Sequence, residues 1–326
     1  MICLGIESTA HTFGVGIVND KGRILGEARN TYTTESGGID PSEARDHHEN
    51  VADEVILEAL NNAKLELKDI GLISFSQGPG LPPCLVVGKE KAKELAKKIK
   101  KPLVGVNHCI AHLEIGNLLT KSKDPVLLYV SGANTQVIAY EGEKYRIFGE
   151  TLDKGVGNFL DTFARHVGLG FPGGPKIYEL ALKGKKYIEL PYVVKGMDIS
   201  VSGILTNTKQ KFDSKKYKLE DLAYSIQETV FAMLVEVAER AMAHCEKTEL
   251  LLGGGVACNK RLQEMCSKMC KDRGAKLFVP ENRVLTDNAI MIAWQGILEK
   301  KHTTKNIDKI DILPNWRTDD VKVDWR

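Results

Sequence analysis

Two histidines four residues apart stand in the stretch Asn107-His108-Cys109-Ile110-Ala111-His112. On a helix, residues i and i+4 share one face, with Cβ atoms roughly 5–6 Å apart. Two imidazoles so placed can bind one metal ion, each at about 2.0–2.1 Å if the ion is zinc. A pair of ligands does not complete a site, and taken alone His108 and His112 read first as ordinary helix residues. Three glycine-rich turns hold the other candidate chemistry: residues 5–14, with Glu7, Thr9 and His11; residues 131–135, Ser131-Gly132-Ala133-Asn134-Thr135; and residues 253–259, with three successive glycines and Asn259. Small residues let backbone N–H groups approach phosphate oxygens, and hydroxyls add donors. Each turn alone is also explained by glycine's role in tight turns.

These groups need a scaffold, and the sequence supplies an alternating α/β one. Residues 2–7, 13–19 and 24–31 read as three strands joined by tight turns, with Asp20-Lys21-Gly22 as a turn signal. A helix is expected over 41–64, with Asp40 as N-cap, Pro41 at its first position and Glu43 completing a capping box. Strands follow at 72–76 and 103–106 with a lysine-rich helix between them, and a helical run covers 113–119. The pattern then restarts. Residues 126–130, 135–140 and 144–148 read as three strands, followed by helices that end in an amphipathic one over 219–245. Its apolar face is Ile226, Val230, Leu234 and Ala238. A strand–loop–helix spans 249–271, and a last helix covers 288–298. The expected lobes are 1–125 and 126–326. Two lobes that each open with three hairpin-linked strands point to an α/β fold of the actin, hexokinase and Hsp70 type (ASKHA), with the active site in the cleft between lobes.

Composition narrows the function classes. Of the 326 residues 43% are apolar and 27% charged, as in a globular protein. No apolar run approaches the roughly 20 residues of a membrane span, and the N-terminus opens on strand-like sequence rather than an export signal. Seven cysteines in no small-domain framework suggest reduced thiols and a cytoplasmic setting. Cys258, Cys266 and Cys270 lack CxxC spacing and read as structural thiols. With a net charge of only +2, any polyanion surface must be local. Residues 89–101 and 209–218 are the lysine-rich candidates, and either also reads as a solvated helix face.

The combination of Gly5-Ile6-Glu7, the run Phe75 to Gly80, Gly105-Val106-Asn107-His108, Ser131-Gly132-Ala133-Asn134-Thr135-Gln136, the run Gly170 to Pro175, Gly253-Gly254-Gly255-Val256-Ala257 and Thr286-Asp287-Asn288 resembles one family. Its members, once called O-sialoglycoprotein endopeptidases, are tRNA threonylcarbamoyladenosine transferases. The details resemble the archaeal and eukaryotic branch, the catalytic subunit of the KEOPS complex, over essentially residues 2–326. The resemblance implies transfer of the threonylcarbamoyl group of L-threonylcarbamoyl-AMP to N6 of the adenosine 3′ of the anticodon in ANN-decoding tRNAs. It also implies a divalent metal, iron(II) in preference to zinc(II), held by His108, His112 and Asp287, with Tyr129 as a further ligand or neighbour.

The adenylate would lie on Tyr129, Val130, Ser131, Gly132 and Ala133, with Asp161 on ribose hydroxyls, Gly174 alongside and Asn259 near the base or ribose. The adenosine half of ATP would fit the same pocket. Without the resemblance, Asp287 reads as a helix N-cap and Asp161 as an ion-pair partner of Arg165. The chain departs from many archaeal relatives at Tyr178, where they carry a glutamate, and a tyrosine hydroxyl there can still meet a ribose. His11 replaces an acidic residue of bacterial relatives, and is read as a proton acceptor, a phosphate contact or a structural residue. His47 and His48 are read as structural or tRNA-facing. The implied partners are tRNA, a small atypical protein kinase that in some archaea is fused C-terminally, and dimerising and accessory subunits, with no membrane.

Two other classes stand against this reading. A zinc metallopeptidase needs a general-base glutamate inside the histidine pair, as in HExxH, whereas Cys109, Ile110 and Ala111 stand there. An actin-like ATPase or sugar kinase would use Glu7 on Mg²⁺ and leave the histidine pair incidental.

Overall fold

A computed structural model describes residues 1–35, 38–304 and 306–326. The chain forms two compact units. The first comprises Met1–Thr33, Ile39–Leu119 and Asp287–Arg326, and the second Thr34–Gly38 and Thr120–Thr286.

The first unit contains β1 (Ile2–Glu7), β2 (Thr12–Asn19), β3 (Ile24–Thr31), α1 (Pro41–Ala63), β4 (Leu72–Gly78), α2 (Pro82–Ile99), β5 (Leu103–Asn107) and α3 (His108–Thr120). Its sheet order is β3-β2-β1-β4-β5. The hairpin-linked β1, β2 and β3 are antiparallel, and β4 and β5, each reached through a helix, are parallel to β1. Leu4, Ile6, Phe13, Val15, Ile56, Leu60, Phe75 and Leu95 lie in its core. Asp40 caps α1 as expected, accepting from the Ser42 and Glu43 amides. Glu43 does not close a capping box; its carboxylate takes the Tyr32 hydroxyl instead. The lysines of α2 are largely engaged. Lys89, Lys91 and Lys97 pair with Asp311, Asp53 and Asp308 at 2.9, 2.7 and 2.6 Å, so this face is ion-paired rather than an open cationic patch. His48 is buried against Phe13, and burial pushes its pKa down to about 4, so it is a neutral core residue.

The second unit repeats the plan. Its elements are β6 (Val126–Val130), β7 (Thr135–Glu141), β8 (Lys144–Glu150), α4 (Val156–His166), α5 (Gly173–Ala181), the two-residue strands β9 (Val194–Lys195) and β10 (Asp198–Ile199), α6 (Ser202–Asp213), α7 (Leu219–His244), β11 (Glu249–Gly253), α8 (Lys260–Asp272), β12 (Lys276–Phe278) and α9 (Asn282–Leu285). The sheet β12-β11-β6-β7-β8 has three antiparallel and two parallel strands in the same arrangement as the first. The predicted face of α7 is fully inside the core. Cys266 and Cys270 are buried free thiols that burial pushes up to about 12 and 11; as expected they are structural.

The division at 125/126 is corrected at the C-terminal end. Helix α10 (Ala289–Leu298) packs on β1, β2 and β4 of the first unit. Its sequence is apolar on all sides, which demands burial all round. The approach is close enough that a Cβ on Gly5 or Gly16 would fall 2.3 Å from the Ala293 nitrogen or 2.4 Å from the Ile290 nitrogen. At the C-terminal end of α10, where the last carbonyls carry partial negative charge, Glu299 is buried and accepts from Gln295 Nε2 at 2.7 Å. Burial pushes its pKa up from 4.5 to about 7, against the opposing effects of Gln295 and His302. The folded state therefore favours the protonated acid. The stability this gives is complete below about pH 4 and lost as pH rises to about 7. Glu299→Gln is expected to flatten that slope and to leave the protein about 2–3 kcal/mol more stable at pH 8, read by urea denaturation at pH 5 and pH 8.

Candidate metal centre

Strand β5 runs straight into α3 because Asn107 ends one and caps the other. Its Oδ1 accepts from the Cys109 and Ile110 amides at 3.0 and 3.2 Å. The helix thus begins at His108, five residues before the predicted helical run, and carries both histidines on one face. His108 and His112 are buried, with ring centroids 4.8 Å apart. Asp287, just ahead of α10, completes the group: its Oδ1 lies 3.4 Å from Nε2 of each histidine. The helix cap is Asn288, which accepts from the Met291 amide at 3.0 Å, so Asp287 is not the N-cap and its carboxylate turns to the histidines.

Behind His108 stands a second carboxylate. Glu7, at the end of β1 and fully buried, meets His108 Nδ1 at 2.9 Å through Oε2, while its Oε1 accepts from the Thr9 amide at 2.7 Å and from the Thr9 hydroxyl. Burial disfavours a charged His108, but the charge of Glu7 and hydrogen bonds to Asp287 and Glu7 outweigh it and raise its pKa well above the usual value. For His112 burial wins and the pKa falls. Burial would raise Asp287, yet hydrogen bonds from His108 and His112 hold it well below the usual carboxylate range. The cluster without metal therefore holds a protonated His108, a neutral His112 and an ionised Asp287.

The residues fit a metal. Among the described residues, this is the group of three whose ligand atoms converge, all within 4.8 Å of one another. The 3.4 Å nitrogen–oxygen separations exceed an ordinary N–H···O hydrogen bond of about 2.7–3.2 Å. Two ligands each about 2.1 Å from one ion, at a tetrahedral angle, lie roughly 3.4 Å apart. The Glu7–His108 contact is the outer carboxylate that commonly fixes the tautomer of a ligating histidine. Two imidazoles and one carboxylate suit iron(II) or zinc(II).

The other predicted residues fall as follows. His11 is half-buried beyond β1. Tyr129 lies in the second unit, on β6 opposite Gln136 and Gly253, fully buried. Within that unit the turn Ser131-Gly132-Ala133 is held from both sides. The Ser131 and Gly132 carbonyls accept from the Gly157 and Asn158 amides at 3.0 and 2.9 Å. Gly254, at φ +88°, presses so closely that a Cβ there would meet the Val130 carbonyl oxygen at 2.3 Å. Asp161 on α4 accepts from the Gly173 amide at 2.7 Å, at the start of α5. Gly174 has open space where a Cβ would stand, and Tyr178 follows one turn later, half-buried. Asn259 caps α8, accepting from the Arg261 amide at 2.9 Å and donating to Gln227 Oε1 at 3.0 Å. The sequence offers Glu7 for a kinase-like base or magnesium site and does not show its place behind His108. The available signal was one charged residue ending an otherwise apolar strand.

Residues 23–294 match the family model described as TsaD, tRNA N6-adenosine threonylcarbamoyltransferase. A protein of that name from Thermococcus kodakarensis is 55% identical over 326 residues, covering the whole of both chains. A "probable bifunctional tRNA threonylcarbamoyladenosine biosynthesis protein" of Methanocaldococcus jannaschii is 52% identical over this whole chain, which spans 60% of that longer protein. Among solved structures, HypF of T. kodakarensis has a TM-score of 0.64 at 16% identity, over 93% of this chain and 49% of that one. Component A of the Acidaminococcus fermentans (R)-2-hydroxyglutaryl-CoA dehydratase has a TM-score of 0.60 at 14% identity, over 92% and 99%. These structural likenesses bear on the fold alone, which is the expected actin/hexokinase type. No helix among the described residues is long and apolar enough to cross a membrane.

Proposed function

Because the chain belongs to the tRNA N6-adenosine threonylcarbamoyltransferase family, we propose that it forms threonylcarbamoyladenosine 3′ of the anticodon of ANN-decoding tRNAs from L-threonylcarbamoyl-AMP, with His108, His112 and Asp287 holding one divalent metal ion, iron(II) in preference to zinc(II). The observation that carries the metal assignment is the convergence of two histidine nitrogens on one Asp287 oxygen at 3.4 Å, backed by Glu7 on His108. The acceptor is an aromatic amine of low nucleophilicity, so the reaction needs a polarised carbonyl, an oriented amine and a route for one proton. The metal, when bound, supplies Lewis acidity toward substrate oxygens. Glu7 holds His108 with Nε2 facing Asp287 and Nδ1 turned away. His11 is the candidate proton acceptor.

The adenylate is received by residues of the second unit. Backbone groups of Tyr129 to Ala133 serve the phosphate and carbamoyl end, Asp161, Gly174 and Tyr178 the ribose, and Asn259 the base side. The adenosine half of ATP is accommodated by the same residues. The longer bifunctional relatives support a second catalytic partner. This reading assigns that role to a small atypical protein kinase, joined by dimerising and accessory subunits in a cytoplasmic KEOPS assembly. The peptidase reading lacks its base, since Cys109, Ile110 and Ala111 fill the turn between the histidines.

Nucleoside mass spectrometry tests the proposal. An ANN-decoding transcript is incubated with the protein, partner subunits, metal and a source of threonylcarbamoyl-AMP, beside a His108→Ala/His112→Ala variant. Modified adenosine with the native protein and none with the variant is expected. Equal product from both would overturn the metal's role, and none from either, in a mixture active with another family member, would overturn the reaction.

A further inference from the structure

After α10 the chain crosses back over the first unit with no regular element longer than a single turn among its described residues. Residues 311–326 are nonetheless tied down at discrete points. The Asp311 carbonyl accepts from Gln77 Nε2 at 2.6 Å, and the Leu313 amide donates to the Gln77 carbonyl at 2.8 Å. From there the segment follows α3. Asn107, the cap of that helix, donates from Nδ2 to the Trp316 carbonyl at 3.3 Å. Thr318 is buried beside the first turn of α3, where its side chain works against the burial that raises the Cys109 thiol pKa to about 11. Trp325 Nε1 donates to Glu114 Oε1 at 2.8 Å, and Arg326 Nε lies 3.6 Å from the same oxygen. Between these anchors the segment is not a continuous apolar seam. A cavity of about 390 Å³ lies beside it, lined among others by Gln77, Glu299, His302, Trp316 and Val321.

We infer that residues 313–326 form a strap that positions α3, and through it His108 and His112, for the metal; the inference rests on the metal assignment above. The strap meets α3 at Asn107, Cys109 and Glu114, and both histidines lie within that span. A helix held at its cap and again two residues beyond its second ligand can neither slide nor rotate without breaking a polar contact. Glu114 is 6% exposed, and a carboxylate so buried is costly unless it is hydrogen-bonded, so the Trp325 bond is not idle. A metal needs its ligands held within about 0.5 Å. Trp325 and Glu114 are therefore positioning residues, not ligands.

The test is cobalt(II) titration of the full chain, followed by its visible spectrum, for wild type, Trp325→Phe and the Trp325→Phe/Glu114→Met double variant, with melting temperatures measured in parallel. Trp325→Phe leaves Glu114 without its indole donor and is expected to weaken cobalt binding about tenfold or more, in the range of changes just outside a metal's ligands. The double variant replaces both polar partners by apolar ones and should recover melting temperature. Its cobalt affinity should stay low, because the tie to α3 is still missing. Wild-type affinity in the folded double variant would reduce the strap to a stabilising segment and overturn the inference. No cobalt binding by wild type would overturn the metal assignment and the inference together, a result distinct from the first.

Discussion

Asp287→Ala is expected to abolish stoichiometric metal binding and to lower kcat/KM for threonylcarbamoyladenosine formation by two orders of magnitude or more, equivalent to about 3 kcal/mol of transition-state stabilisation. The reason is geometric. Asp287 Oδ1 lies 3.4 Å from both histidine nitrogens, so its loss leaves two imidazoles and no anionic ligand in the group of three. Asp287→Asn keeps the shape and removes the charge, and it should fall between wild type and alanine in metal affinity. Because Asn288 caps α10, neither substitution should uncap that helix, and a melting curve checks this. Metal content unchanged in Asp287→Ala would place the ion elsewhere.

Glu7→Gln separates two effects of one carboxylate. In the metal-free protein His108 is protonated up to a pKa well above the usual value, with the Glu7 charge the chief influence working against burial. Metal must displace that proton, so wild-type affinity should fall as pH drops through that raised pKa, by about tenfold per pH unit. Without the Glu7 charge, burial carries His108 downward and this loss moves to lower pH. Above the window the variant should bind metal about 10–100-fold more weakly, because the ring is no longer oriented and polarised from behind. The two affinity–pH curves therefore converge toward acid. Parallel curves from isothermal titration between pH 5.5 and 8.5 would show that Glu7 does not set the protonation of His108.

Much of this protein is legible before folding. Residues 126–130 match β6 to the residue, since an apolar run bounded by turn residues has few other structures open to it, and residues 24–31 match β3 behind the turn signal at Asp20 to Gly22. Asp40 and Pro41 mark the start of α1 through the chemistry of a cap. The His108 and His112 pair is visible because its partners are four residues apart. What was hidden involves distance along the chain. Asp287 is 175 residues from His112, and unaided reading favours it as a cap, whereas the cap is its neighbour Asn288. Glu7 is 101 residues from His108, and only the parallel pairing of β1, β4 and β5 brings the two strand ends to one edge. Helix α10 reads as the end of the second lobe because it follows it in sequence. Its burial against Gly5 and Gly16 depends on a sheet made nearly three hundred residues earlier.

That discontinuity has a consequence for how the protein matures. A chain emerging from the ribosome presents the first sheet and both histidines long before Asp287 and α10 exist. All of residues 120–286, a unit with its own core, is synthesised in between. Until α10 arrives, the face of β1 and β2 around Gly5 and Gly16 lacks its cover, and His108 has Glu7 as its only carboxylate from this cluster. The inserted unit can complete its fold first, and the outer one is finished last. The group His108, His112 and Asp287 is therefore complete only once Asp287 has been made, and a product truncated before it cannot hold an ion through all three residues.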